Sequence, residues 1–159
     1  MYDPTSERIL VAVHEKNELV GIDRNKLEIT GHYPLPGIKE PHGIALDVEG
    51  RLAFVVGATN HTLAVVDLWT MKVLGTYPVG DDPDVLSFDP GVKQLYVSAQ
   101  SGNVWVYKKD GKRLDPIGHF FVPNAHTVCA DPRTHLVYFP LEISTRPVLR
   151  IMEPIKASK

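Results

Sequence analysis

The sequence predicts an all-β fold, a β-propeller of four-stranded antiparallel blades, with about four blades (two complete, two partial) in this chain. Three observations favour this fold: an internal repeat, four strand-like runs in each full repeat, and the lack of the sustained 3.6-residue apolar period that indicates helices. A repeat of roughly 40–45 residues with four strands is typical of a propeller blade. Such blades stack face to face because one four-stranded sheet cannot bury both of its faces alone.

The repeat is marked by four aspartates that follow short apolar runs, namely Asp3, Asp47, Asp89 and Asp131. Successive members of this series are 44, 42 and 42 residues apart. Each aspartate precedes a polar turn and then a β-branched or aromatic run, which reads RILVAV, LAFVVG, QLYVSA or LVYFPL. Further runs of the same kind, bounded by Gly, Pro, Asp or Asn, complete the repeat. We label the predicted strands a to d, with strand a innermost.

The strand inventory predicts a single domain over residues 1–159, with blades at approximately 1–36, 37–80, 81–122 and 123–159. The two middle blades are expected to be complete. The first is expected to contain only strands b, c and d, and the fourth only strands a, b and c. Because exposed sheet edges have to be covered, we expect either the C-terminal part of a longer propeller or a short form that associates, most simply as a homodimer that closes the propeller.

The composition narrows the classes of partner. The 159 residues have a net charge of −2 and no cluster of Lys or Arg, so neither nucleic acid nor an anionic membrane is a predicted partner. No apolar run approaches the ~20 residues that span a bilayer, and the first residues lack the pattern of a signal peptide. Cys129 is the single cysteine, so no intrachain disulfide is expected. We expect its side chain to be buried as a small hydrophobe.

Polar residues recur in register at the predicted start of strand a. His42, Asp84 and His126 follow one another at intervals of 42 residues, and two positions earlier the same register contains Glu40, Asp82 and Asn124. Equivalent residues of a propeller lie on a ring around its central channel, so we predict that these six form a polar channel mouth that binds a ligand. Imidazole and carboxylate are also metal ligands. This makes His42, Asp84 and His126 a candidate metal site, with a divalent ion as the candidate cofactor. The alternative is that they cap strand starts and hold channel waters.

The acidic tract Asp81-Asp82-Pro83-Asp84 has two interpretations. One is a pair of carboxylates for acid–base chemistry. The other is a connection from strand d to the next strand a, in which Gly80 adopts an unusual backbone conformation and the aspartates accept hydrogen bonds from turn amides. The second is favoured, and only Asp84 is retained as a site residue because it shares the register of the two histidines. No catalytic residue is predicted.

Two tryptophans and five histidines lie outside this register. Trp69 is predicted in the turn between strands c and d, where exposure would indicate a contact surface. Trp105 is expected to pack between blades. The remaining histidines are expected on the surface or in loops; they are His14, His32, His61, His119 and His135.

The sequence of the repeat resembles that of the YVTN-type β-propeller family, the YncE-like group of bacterial proteins. The resemblance is carried by LYVSAQSGNVWVY at 95–107, by AVVDLWTMKVLGTYPVGDDP at 64–83, and by NAHTVCADPRTHLVYFPLE with RPVLRIMEP toward the C-terminus. Members of the family usually have seven blades and are often exported, so the resemblance implies a periplasmic or secreted protein. It implies no established catalytic residue set.

Two functions from different classes follow. The favoured one is a non-enzymatic binding or scaffold propeller, which presents its channel mouth and loops to a small ligand or a protein partner. The alternative is a metal-dependent hydrolase, similar to a lactonase, with its site at the channel mouth; this is an analogy at the level of the fold.

Overall fold

A computed structural model describes residues 1–154 of the chain, and within them nearly all regular structure is β-strand. The strands form four antiparallel sheets, each built from strands that follow one another in sequence. The chain divides into two compact units, Met1–Pro78 and the part from Val79 onward. The first unit contains the first two sheets, and the second unit contains the third and fourth.

The two sheets of the first unit each have four strands in the order of the sequence. The first sheet consists of β1 (Tyr2–Asp3), β2 (Arg8–Val13), β3 (Glu18–Asp23) and β4 (Ile29–Pro34). The second consists of β5 (Pro41–Asp47), β6 (Leu52–Gly57), β7 (Thr62–Asp67) and β8 (Lys72–Pro78). The two-residue strand β1 pairs with β2, Tyr2 opposite Ile9. It provides the first sheet with a short inner strand that the sequence did not predict.

The second unit repeats this arrangement with one difference. The third sheet consists of β9 (Pro83–Asp89), β10 (Gln94–Ala99), β11 (Asn103–Asp110) and β12 (Arg113–Phe121). The fourth consists of β13 (Cys129–Ala130), β14 (Val137–Ile143) and β15 (Arg146–Met152). Within the described residues the fourth sheet therefore has three strands, with β15 at one edge. Its last hairpin turns at Ser144 and Thr145, which both have positive φ, as a two-residue turn of the twisted hairpin type requires.

Alternation along the strands places apolar side chains between neighbouring sheets. In the first unit, Leu10 and Leu19 of the first sheet pack with Val55 and Ala64 of the second. In the second unit, an equivalent core joins the third and fourth sheets; its members include Tyr96, Val104, Val106, Val137 and Phe139. All six residues of β6 and all six of β10 are buried.

Cys129 is exposed, contrary to the expectation that its thiol would be buried. Its partner in the ladder is Tyr138, which in turn lies opposite Ile151. These three residues therefore share one face of the fourth sheet, and Ile151 on that face is 52% exposed. The physical reason for the error is that residue type predicts burial only where a neighbouring sheet covers the face.

No helix within residues 1–154 is long and apolar enough to cross a membrane. The helical segment that follows β2 is a single turn of 3-10 helix, His14–Lys16.

Candidate functional site

The order of strands in each sheet decides which loops lie together. In an antiparallel meander a-b-c-d, the b–c turn, the connection from strand d to the next sheet and the start of strand a all lie at the same end. We call this the connection end of a sheet. In the first unit it contains the 3-10 turn His14–Lys16, the connection at residues 35–40 and the β6–β7 turn. The connection at residues 35–40 is two residues longer than its counterpart at residues 79–82.

The longer connection borders a groove of about 510 Å³. Leu35 and Ile38 are buried beneath it and belong to the core of the first unit, while Lys16 and Lys39 line it and are exposed. The groove therefore has an apolar floor and two cationic side chains on its walls. A second, more polar recess of about 390 Å³ adjoins it, since the two share Asn17 and Lys39.

Two asparagines hold the connection in place. The Asn60 side chain accepts a hydrogen bond from the Lys39 amide (3.0 Å) and donates one to the Gly37 carbonyl (2.8 Å). Asn17 accepts one from the Glu40 amide through its side chain (2.7 Å). Gly57 makes room for this arrangement, because a Cβ there would lie 2.7 Å from the Lys39 carbonyl oxygen. The groove is thus formed by a loop with defined backbone partners.

An exposed histidine–glutamate pair borders the polar recess. The His14 ring nitrogen lies 3.5 Å from a carboxylate oxygen of Glu40, and both residues line the recess with Glu15 and Thr59. Glu40 was predicted as a site residue, whereas His14 was assigned to the surface without a role. His42, also predicted, is exposed near the start of β5 and lines a separate shallow recess with Val11 and Ile44.

In the second unit the structure brings two predicted site residues together. The Nδ1 atom of His126 lies 3.5 Å from Asp84 Oδ2 and 3.3 Å from the hydroxyl of Thr127. Ser98 positions this pair, because its buried hydroxyl lies within hydrogen-bond distance of the carbonyls of Val85 (3.0 Å) and His126 (2.9 Å). The pair combines an imidazole ring with a carboxyl group and is suited to a polar ligand.

Glu40, Asp82 and Asn124 share a backbone role in addition to their register. All three have left-handed φ angles, of 53°, 59° and 65°. The carbonyl of Glu40 accepts a hydrogen bond from the Ala58 amide, and that of Asp82 accepts one from the Gln100 amide. The Asn124 side chain donates to the Glu142 carbonyl. These residues therefore shape the connection that precedes each inner strand.

The prediction of an unusual backbone conformation at Gly80 is wrong, because Asp82 has that conformation instead. Asp82 has φ 59°, whereas Gly80 has no positive φ. Gly80 is required for a different reason: a Cβ at this position would lie 1.7 Å from ring atoms of Trp105. The indole of Trp105 also stacks on His119, with ring centroids 5.9 Å apart.

The repeat aspartates form a second set of contacts, at the end of the sheets opposite the connection end. Arg51 donates hydrogen bonds to both carboxylate oxygens of Asp3, at 2.6 and 2.7 Å, and the pair is buried. These hydrogen bonds lower the pKa of Asp3 to about 2 and raise that of Arg51. In the second unit a ring nitrogen of His135 lies 2.9 Å from Asp89. Each pair joins the aspartate of one sheet to the next sheet.

The contacts of Arg51 and His135 with the repeat aspartates were not predicted from the sequence. Both lie four residues after a repeat aspartate, and both have positive φ, as do Glu7 and Lys93 at the same repeat position. That shared offset was the available signal. Burial raises the pKa values of Tyr96 and Tyr107 to about 12.

Trp69 is 68% exposed, as its predicted place in a turn suggested. The guanidinium of Arg51 lies over its ring, 4.7 Å from the ring centroid. The turn is held by Asp67, whose carboxylate accepts hydrogen bonds from the amides of Trp69 and Thr70.

Within residues 1–154, no group of three or more His, Cys, Asp or Glu side chains is arranged to hold a metal ion. That His42, Asp84 and His126 share one ring stays a prediction.

Comparisons with known proteins show the fold. No family model matches the sequence, and no curated protein matches it. Solved structures do match: hydrazine synthase of Kuenenia stuttgartiensis has a TM-score of 0.81 at 16% identity, over 96% of this chain and 44% of that one. A structure of the mitotic checkpoint complex gives 0.79 at 10% identity, over 98% and 49%. Dihydro-heme d1 dehydrogenase NirN in complex with DHE gives 0.68 at 16%, over 94% and 36%.

The chain thus spans less than half the length of each of these structures. Their matching regions are β-propellers. Together with four consecutive antiparallel meander sheets, the likeness confirms the predicted all-β propeller fold.

Proposed function

We propose that this protein is a non-enzymatic β-propeller that binds its ligand at the connection end of its sheets. The observation that supports the proposal most directly is the groove beside residues 35–40, with Leu35 and Ile38 below it and Lys16 and Lys39 on its walls. A loop held by asparagine side chains costs little ordering entropy when a ligand binds, because it is already ordered.

The chemistry of the groove selects the ligand class. Two lysine ammonium groups favour a carboxylate or another anion, and the buried aliphatic floor favours an adjoining apolar group. We propose a short peptide or small acid that combines one carboxylate with an aliphatic side chain. The His14–Glu40 pair at the adjoining recess offers both a donor and an acceptor to the polar part of such a ligand.

The remaining predicted site residues belong to the same proposal. We infer that five further residues form polar contacts for a ligand or protein loop. They are His42 in the first unit and Asp82, Asp84, Asn124 and His126 in the second. The support is the 3.5 Å approach of His126 to Asp84. The metal-dependent hydrolase stays an alternative prediction.

Two finer assignments are also proposals. The YVTN-like residues at 64–83 and 95–107 support membership of the YncE-like group, and with it a bacterial origin and an exported location. The exposed edge strand β15 supports association with further β-structure, with another protein or with a second copy of the chain.

A calorimetric titration tests the binding proposal. The probe is the dipeptide N-acetyl-Ala-Leu with a free carboxylate, and its C-terminal amide is the matched neutral control. We expect saturable binding of the acid and at least tenfold weaker binding of the amide, because a charge-assisted hydrogen bond contributes about 1.5–3 kcal/mol.

Substitutions locate the site. Lys39→Met and Lys16→Met retain the aliphatic stem and remove the charge, and each should weaken binding of the acid about tenfold. Lys72→Met, at an exposed lysine of β8, should leave the affinity unchanged. Absence of saturable binding, or equal affinity for acid and amide, would contradict the proposal.

A further inference from the structure

Within residues 1–154, one face of the first sheet and one face of the fourth are exposed and largely apolar, with Glu18 and His32 also on the first face and Glu142 on the second. The open face of the first sheet contains Val11, which lies opposite Val20, together with Tyr2, Ile9, Ile22 and Ile29. Tyr2 and Val11 are each 40% exposed and Ile29 is 59% exposed. Contiguous apolar patches of this kind indicate an interaction surface.

The open face of the fourth sheet has the same character. It contains Tyr138, paired with Cys129 and Ile151, and Pro140, paired with Leu149. Leu149 is 58% exposed and Ile151 is 52% exposed. The opposite face of the same sheet, which includes Phe139 and Leu141, is buried in the core of the second unit.

The repeat shows which faces are complementary. Leu10 and Tyr96 occupy one repeat position, and each packs on the sheet that follows its own. Tyr138, 42 residues after Tyr96, occupies this position on the open face of the fourth sheet. Its face is therefore of the type that packs on a following sheet.

Val11 occupies the complementary position. Its equivalents are Val55, 44 residues later, and Phe139, 42 residues after Val97 of the third sheet. Val55 and Phe139 each pack on the sheet that precedes their own. The open face of the first sheet is therefore of the type that packs on a preceding sheet. Within residues 1–154, no sheet follows the fourth to pack on its open face.

We propose that a second copy of this chain is the occupant: the open face of the fourth sheet in one copy packs on the open face of the first sheet in the other. A two-fold axis repeats the contact, so both open faces of both copies are covered. This deepens the proposed scaffold function by naming a partner, and it uses residues distinct from the ligand groove.

The area is sufficient for a stable dimer. The first sheet has three six-residue strands and the fourth has two seven-residue strands, each beside a two-residue inner strand. The two faces then measure roughly 15 Å by 20 Å and 10 Å by 24 Å. Two contacts per dimer bury on the order of 1,100 Å² in total, at the lower end of the range of specific protein–protein interfaces.

Sedimentation equilibrium of matched glutamate variants tests the pairing. The wild-type chain should be a dimer at micromolar concentration, and both Val11→Glu and Leu149→Glu should weaken dimerisation at least tenfold. Leu74→Glu, at a 46% exposed leucine of β8 outside both faces, is the control and should remain dimeric. A contact between two fourth sheets would leave Val11→Glu dimeric, and a contact between two first sheets would leave Leu149→Glu dimeric. Either result overturns the proposal, as does a monomeric wild type.

Cys129 supplies an independent readout that does not depend on mass. Its thiol lies on the open face of the fourth sheet, so reaction with a disulfide-exchange reagent should be several-fold slower in the wild type than in Val11→Glu. Equal rates would contradict the interface. Far-UV circular dichroism confirms that each variant is folded. If monomeric Val11→Glu still binds the dipeptide acid, failure of the dimer is distinguished from failure of the proposed binding function.

Discussion

Arg51, in the β5–β6 turn of the second sheet, donates two hydrogen bonds to the carboxylate of Asp3 in the first sheet, across 48 residues of sequence. Asp3 also accepts hydrogen bonds from the Thr5 amide and the Ser6 hydroxyl, so the carboxylate closes its own turn and holds the next sheet. His135 has the same relationship to Asp89 in the second unit. The repeat aspartate is thus a junction between neighbouring blades.

Lowering the pH should destabilise the first unit, because it protonates the carboxylate of Asp3. Its pKa is lowered from 3.8 to about 2, chiefly by the Arg51 hydrogen bonds. A carboxyl with a depressed folded-state pKa contributes stability above its unfolded pKa and loses it as the pH falls through the folded value. The contribution, about 2 kcal/mol, should disappear between about pH 4 and pH 2. Urea unfolding across this window measures it, and Asp3→Asn should flatten that part of the pH dependence. An equally steep profile in Asp3→Asn would contradict the assignment.

Arg51→Met should lower the free energy of unfolding by about 3–5 kcal/mol, because it leaves a buried carboxylate without its cation. Arg51→Lys should recover only part of this loss, since an ammonium cannot reproduce the two-pronged contact. The control is Arg133→Met: Arg133 is 90% exposed and 3.8 Å from Asp131, and a pair of this kind contributes less than about 1 kcal/mol. Similar losses for Arg51→Met and Arg133→Met would show that the Asp3 junction is not stabilising.

The repeat predicts which residue can replace His135. His135→Ala removes the side-chain partner of the buried Asp89 carboxylate and should destabilise the protein by about 1–3 kcal/mol. His135→Arg should retain more stability than the alanine variant, because arginine makes the equivalent contact at position 51. His32→Ala, at an exposed histidine that lies 2.9 Å from Glu18, is the control. Thermal unfolding compares the stability of the wild type with that of the three variants. If His135→Arg is no more stable than His135→Ala, the result would argue against a shared junction.

Gly80→Ala should destabilise the protein by about 1–3 kcal/mol through overpacking against Trp105. Gly75→Ala is the matched control, since the atoms nearest to a Cβ there, on the Tyr77 side chain, lie at an ordinary 3.9 Å. Adding Trp105→Leu to Gly80→Ala should cost less than the sum of the two single changes, as measured in a double-mutant cycle. If the two losses of stability are strictly additive, the Trp105 indole does not limit the size of the side chain at position 80.

The strands were predictable from sequence because their residues alternate or form short apolar runs between turn residues. The repeat of Asp47, Asp89 and Asp131 placed the turns correctly for the same reason. The short β1 was missed because Tyr2–Asp3 is too brief to show a period. The exposure of Cys129 was missed because it depends on a face that no neighbouring sheet covers.

The site was only partly predictable. The interval of 42 residues identified Asp84 and His126, which the structure brings to 3.5 Å. It did not identify the groove, because Asn17 and Asn60 act on backbone atoms 23 and 21 residues away and their roles depend on how residues 35–40 fold back. The junction residues Arg51 and His135 were missed because their chemical types differ and each partner lies one repeat earlier.

The proposed function depends on binding of a carboxylate ligand in the groove of the first unit. The most direct measurement is a two-dimensional amide NMR titration with N-acetyl-Ala-Leu, compared with Asn60→Ala, which removes the side chain that holds Lys39 and Gly37. We expect saturable shifts confined to residues 14–17, 34–40 and 59–60, and at least several-fold weaker binding in Asn60→Ala. Shifts centred elsewhere in the protein, or none at a saturating concentration of the acid, would contradict the claim.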